Sequence, residues 1–121
     1  MGTTGKKLPK AYRDLKERYS EYLGAVEKLG RSVKQAGPID EKTAQLVQLA
    51  AATAIRSEGS VHSHARRALD AGVTPEEIRH ALILLTSTIG FPTVVAGLTW
   101  VGDILEGKRG KVRNRRIPHP P

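Results

Sequence analysis

Apolar residues recur along most of this chain at steps of three and four, the spacing that places them on one side of a helix. Tyr12, Leu15, Tyr19, Tyr22, Val26, Leu29 and Val33 form such a seam over residues 9–36, and Gly37-Pro38 ends it. Gly24 and Gly30 weaken this helix locally. The seam predicts an outer helix that lays its stripe on the rest of the fold, although its length also admits a coiled coil.

Asp40 offers the short acceptor side chain of an N-cap, and a second helix is expected from it to about Ser57. Four of the five residues from 50 to 54 are alanine, small enough to let another helix approach closely, so this element is placed centrally. A third helix is expected from about Ser60 to Ala71, with Gly72 as its stop. Thr74-Pro75-Glu76-Glu77 is the clearest start signal: Thr74 caps, Pro75 occupies the first helical position and Glu77 closes a capping box.

From Ala81 to Gly102 there is no formally charged residue, a run long enough to raise a membrane span. Gly90-Phe91-Pro92 cuts it, and Thr86, Ser87, Thr88, Thr93 and Thr99 make it too polar for lipid. Two buried helices meeting at a Gly-x-Pro corner are expected instead, the second ending near Glu106-Gly107. No stretch alternates in the manner of a strand. The expected fold is all-α, a compact bundle of about five to six helices over residues 8–107. A flexible N-terminus at 1–7 and a basic, proline-ended tail at 108–121 flank it.

The net charge of +8 is unevenly spread. Six of the twenty bases and none of the acids lie in residues 108–121, which leaves a body close to neutral. That distribution argues against a DNA-binding domain, and no nucleic-acid partner is expected. The tail is read as solvated or lying along a neighbouring subunit. The first residues lack the apolar run of a secretory signal, so the expected location is the cytoplasm.

Candidate chemistry concentrates in Ser57-Glu-Gly-Ser60-Val-His62-Ser-His64, in a chain without cysteine. Ser57, Ser60 and His64 stand at i, i+3 and i+7 and share one helix face. That spacing suits a reactive pair with a proton-handling imidazole, but hydroxyls stand where thiols would do redox work. A Ser–His nucleophile would need an orienting acid, and Glu58 is out of register to orient His64. His62 and His64, two residues apart, point to nearly opposite sides and do not share an ion, so no metal and no cofactor is expected. His80 is a further candidate that the fold brings towards His64. Arg56 and Glu58 read as a solvated charged pair, Arg66 and Arg67 as facing solvent or a neighbouring subunit, and Phe91 and Trp100 as core or subunit contacts.

Several pieces occur in one order: Ile-Asp-Glu-Lys-Thr-Ala-Gln-Leu-Val at 39–47, Ser-x-x-Ser-x-x-x-His at 57–64, Ala68-Leu69, Gly-Val-Thr-Pro-Glu-Glu-Ile at 72–78 and Gly-Phe-Pro at 90–92. In this succession the chain resembles the carboxymuconolactone decarboxylase and alkylhydroperoxidase D-like family. The resemblance implies a helical, homo-oligomeric protein, a trimer or a hexamer. In the peroxidase branch it implies a Cys-x-x-Cys-x-x-x-His motif served by a thiol reductant and a hydroperoxide. By this resemblance Ser57 holds the resolving-cysteine position and Ser60 the peroxidatic one. His64 is the relay histidine, and Gln45 falls where the relay glutamate belongs. At His80 the decarboxylase branch carries glutamate.

Serine cannot cycle through sulfenic acid and disulfide, so the resemblance implies an alkylhydroperoxidase-like, peroxiredoxin-type oxidoreductase fold that is redox-silent as written. Serine at both positions fits a Cys-to-Ser form of a thiol peroxidase and also fits a drifted gene. Two other functions stay open. One is a cysteine-independent acid–base enzyme of the decarboxylase type, using His64 and His80; the other is an oligomeric scaffold without catalysis.

Overall fold

The computed structural model describes residues 8–107; the expectations for 1–7 and for the basic tail at 108–121 lie outside the described residues. Two helices, α1 (Lys10–Arg18) and α2 (Ser20–Gln35), stand where the seam predicts one. Tyr19 separates them with φ −132° and ψ 58° and caps neither with its side chain. Its N–H donates to the Leu15 carbonyl at 2.8 Å and its own carbonyl accepts from Leu23 at 2.9 Å, so the chain bends without leaving these groups unpaired. Beyond the bend the Tyr12 hydroxyl donates to the Glu27 carboxylate, and Lys16 Nζ lies 3.5 Å from the same group. The Tyr12 hydrogen bond, with Lys16 beside it, holds the Glu27 carboxyl below the usual carboxylate range.

The apolar seam is not consumed by this arrangement. Tyr22, Val26, Leu29 and Val33 are exposed, Leu29 at 62%, while Leu23, which is off the seam, is the buried residue of α2. Within the first unit the stripe is not buried, because the bend at Tyr19 is closed by polar groups rather than by the seam.

The chain divides between Ile39 and Asp40. The second unit contains α3 (Glu41–Ala54), α4 (Glu58–Asp70), α5 (Pro75–Ile83), the single turn α6 (Thr86–Ile89) and α7 (Phe91–Leu105). Asp40 caps α3 as expected, its Oδ1 accepting from the Thr43 N–H at 3.0 Å. At α5 both bonds of the capping box are present, Glu77 N–H to Thr74 Oγ1 at 3.0 Å and Thr74 N–H to Glu77 Oε1 at 2.9 Å. The expected fourth helix is shorter than the pattern suggests. Leu85 N–H bonds back to Leu82 rather than to Ala81, and the Thr86 hydroxyl donates to the Ile83 carbonyl at 2.8 Å, competing with the helical ladder. The Gly-x-Pro corner is where it was expected: Gly90 has φ 95° and ψ 150°, a region open to glycine alone, and it starts α7.

The core of this unit gathers Leu49 and Ala52 from α3, Val61, Ala65 and Ala68 from α4, Ile78 and Leu82 from α5, and Val101 from α7. Trp100 packs against it half-buried, whereas Phe91 is exposed. The close helix approach predicted for the alanine run does occur, but on a glycine from the other side. A Cβ at Gly97 of α7 would lie 2.7 Å from Thr53 Cγ2 and 3.3 Å from Leu82 Cδ1. Thr53 is buried, and its hydroxyl donates to the Leu49 carbonyl at 2.9 Å, so no polar group is stranded there. Among the described residues there is no strand, and no helix is long and apolar enough to cross a membrane.

Candidate functional site

The site is built around the tight connection from α3 to α4. Ser57 N–H donates to the Ala52 carbonyl at 3.0 Å and Arg56 N–H to Thr53 at 2.9 Å, the paired bonds of a helix stop that needs one residue in the left-handed region. Arg56 is that residue, with φ 58°. The same stop ends α4, where Gly72 has φ 99°, Val73 bonds back to Ala68 and Gly72 to Leu69. Glycine adopts this conformation without steric cost, and arginine does not.

The stop delivers Ser57 directly as N-cap of α4, its Oγ accepting from the Ser60 N–H at 3.4 Å. This corrects two helix bounds: α3 ends at Ala54 rather than near Ser57, and α4 begins at Glu58 rather than near Ser60. Ser57 therefore sits just outside the helix whose face it was expected to share, and Ser60 lies in the first turn. Both are half-buried. The first turn is where free backbone N–H groups and the helix dipole favour negative charge, the environment in which a thiol would ionise readily.

His64 lies one turn further along α4, half-buried. Its Nδ1 is 3.0 Å from Oε1 of Gln45, which is only 1% exposed. The Gln45 Nε2 donates in turn to the Glu41 carboxylate at 2.9 Å. This chain fixes the direction of each proton. A carboxylate only accepts, so the amide nitrogen faces Glu41 and the amide oxygen faces His64. His64 must then donate from Nδ1, which makes Nε2 the basic nitrogen of its ring. The sequence reading passes over Glu41. Its signal is the four-residue step to Gln45 along one helix face, masked because an acid beside an N-cap reads as a partner of the helix dipole.

The remaining candidates separate from this chain. His62 turns away from His64, as their two-residue spacing predicts, and its Nε2 lies 3.1 Å from Asp103 of α7 and 3.9 Å from Glu58. Arg56 and Glu58 do not form the expected pair: Arg56 Nη1 donates to Thr93 Oγ1 at 2.9 Å, and Glu58 faces His62. His80 stands exposed in the last turn of α5, outside these hydrogen bonds. Arg66 is half-buried, and loss of water lowers its pKa, with Arg67 adding in the same direction. The Gln48 Oε1, three residues beyond Gln45, is buried without a hydrogen-bond partner among the described residues.

The sequence model of the carboxymuconolactone decarboxylase family matches residues 20–103, more than half of the chain. The chain belongs to the carboxymuconolactone decarboxylase family. The matched span opens at the start of α2 and closes at Asp103 in α7, so the family's likeness reaches further towards the N-terminus than the pieces legible from Ile39 onwards. It takes in Glu41, Gln45, Ser57, Ser60, His64 and His80, and leaves α1 outside. No curated protein matches the chain.

Proposed function

We propose that this member of the carboxymuconolactone decarboxylase family carries an alkylhydroperoxidase-like scaffold without the thiol cycle, and that His64 is a proton-transfer centre. The observation that carries the reading is the chain Glu41–Gln45–His64, which fixes the imidazole in one tautomer with Nε2 as its base. Such a group takes a proton from carbon next to a carbonyl, or returns one there, as the acid–base members of the family would require. The Gln45 oxygen supports the imidazolium through its dipole, and Glu41 polarises that amide from its far end. Ser57 and Ser60, in the places of the redox pair, supply hydroxyls beside the start of α4, where developing negative charge is favoured.

The absence of cysteine removes the nucleophile of the peroxidase branch, which supports a redox-silent state. Ser57 also has a use of its own, since serine is a strong N-cap. The exposed seam of α2 supports self-association; a trimer or hexamer is what the family resemblance implies, and the proposed location is the cytoplasm.

The experiment is solvent-deuterium exchange and product formation on a carboxymuconolactone, followed by NMR, for the wild type and for His64→Gln. Exchange that depends on His64 is expected; exchange equal in both proteins, or absent from both, overturns the acid–base reading. The redox half is tested separately with Ser57→Cys plus Ser60→Cys. This variant is expected to form an internal disulfide and regain some hydroperoxide reduction with a thiol donor, whereas the wild type shows none.

A further inference from the structure

We infer that Glu58, His62 and Asp103 form a binding site for a first-row divalent cation of the zinc type, separate from the His64 centre. Asp103 comes from α7 and the other two from α4, and their three ligand atoms all lie within 4.8 Å of one another. Both carboxylates converge on one nitrogen, His62 Nε2, at 3.1 and 3.9 Å. A structural hydrogen bond from that nitrogen needs one acceptor. Two negative groups facing it leave a surplus that a cation in the proton's place would balance.

The dimensions fit. Metal bonds of about 2.0–2.2 Å to nitrogen and carboxylate oxygen put neighbouring ligand atoms roughly 3.0–3.5 Å apart. His62 and Asp103 already stand at that separation. Glu58 stands 3.9 Å from His62 Nε2 and within 4.8 Å of the Asp103 oxygen, so it has to close by about 0.4–1.3 Å, within reach of a side chain that is 57% exposed. His62 and Asp103, 22% and 18% exposed, are held by the packing of α4 on α7, so two ligands are placed before an ion arrives. One imidazole and two carboxylates suit Zn²⁺ over Ca²⁺ or Mg²⁺, which want more oxygen ligands. His62 and His64 leave α4 in nearly opposite directions, so an ion here would not occupy the proton-transfer centre.

The test is calorimetric titration of chelator-treated full-length protein with ZnCl₂, alongside Glu58→Gln, Asp103→Asn and His64→Gln. The wild type is expected to take up about one ion per chain with release of heat, with Mg²⁺ giving no signal. Glu58→Gln, at an exposed position, should weaken Zn²⁺ binding at least about tenfold, Asp103→Asn should do so too, and His64→Gln should bind as the wild type does. Co²⁺ should give visible absorption bands that Glu58→Gln loses. No saturable binding by the wild type, or unchanged affinity in Glu58→Gln, would overturn the site. Loss of binding in His64→Gln would relocate the ion to the other histidine and overturn it equally.

Discussion

Replacing Gln45 by leucine tests how much the fold and the chemistry owe to one buried amide. Leucine is somewhat larger than glutamine, so no cavity is left, and the change removes two hydrogen bonds: His64 Nδ1 to Oε1 at 3.0 Å and Nε2 to Glu41 at 2.9 Å. The first, between neutral groups, contributes about 1 kcal/mol and the second, to a carboxylate, about 1.5–3 kcal/mol. Burying an alkyl group in place of an amide returns part of this, about 1–2 kcal/mol. Glu41 is exposed and recovers water, whereas half-buried His64 recovers less. The expected net loss is about 1–2 kcal/mol, a fall in Tm of roughly 5 °C or more in a domain of this size. On a carboxymuconolactone kcat should drop about a hundredfold, because the imidazole is no longer held in one tautomer. Gln45→Glu should instead move the pH profile upward, since the carboxylate pair it forms with Glu41 places more negative charge beside the imidazolium than an amide oxygen does, at a cost in stability from the like charges. Thermal denaturation followed by circular dichroism, with rate against pH, reads both effects. A folded Gln45→Leu protein with the wild-type rate and pH profile would refute the reasoning.

Further variants probe the scaffold. The two helix stops should respond with opposite signs: Gly72→Ala should cost about 1–2 kcal/mol from backbone strain alone, since its Cβ meets only Lys42 Cε at 3.5 Å. Arg56→Gly, which relieves a φ of 58°, should be neutral or stabilising by up to about 1 kcal/mol in chemical denaturation. Gly97→Ala forces a methyl to 2.7 Å from the buried Thr53 and should destabilise by about 1–3 kcal/mol, with partial recovery in the double variant Gly97→Ala, Thr53→Ser. Hydrogen bonds from Thr43 lower the Asp40 pKa, and those from Thr74 lower that of Glu77. The unfolded chain therefore binds more protons there, and the stability these groups add at neutral pH is lost as pH falls below about 4. Asp40→Asn with Glu77→Gln should flatten acid unfolding in that range by lowering stability at neutral pH towards its acid value.

What could be read in the sequence was local. Asp40, Thr74 with Glu77, Gly72 and Gly90 each act within a few residues of themselves, and all four do in the structure what their residue types predict. The bend at Tyr19 was not legible, because no glycine or proline marks it and the apolar seam runs straight through it. The helix stop at Arg56 was hidden in the same way by a residue that seldom adopts a positive φ. At the site, the spacing of Ser57, Ser60 and His64 was visible, but Ser57's duty as a cap depended on where α3 ended. Glu41 drew no notice in the sequence because its link to His64 runs through the Gln45 amide. The meeting of His62 with Asp103 spans 41 residues and depends on α4 packing against α7, which no local pattern encodes.

The most direct measurement is the protonation pattern of the His64 ring, read by long-range nitrogen–proton NMR on uniformly labelled protein at neutral pH. A proton resting on Nδ1, with that preference lost in Gln45→Leu, is the outcome expected of an imidazole whose basic nitrogen is set by the amide. A ring carrying its proton on Nε2, or one indifferent to the loss of Gln45, would contradict it.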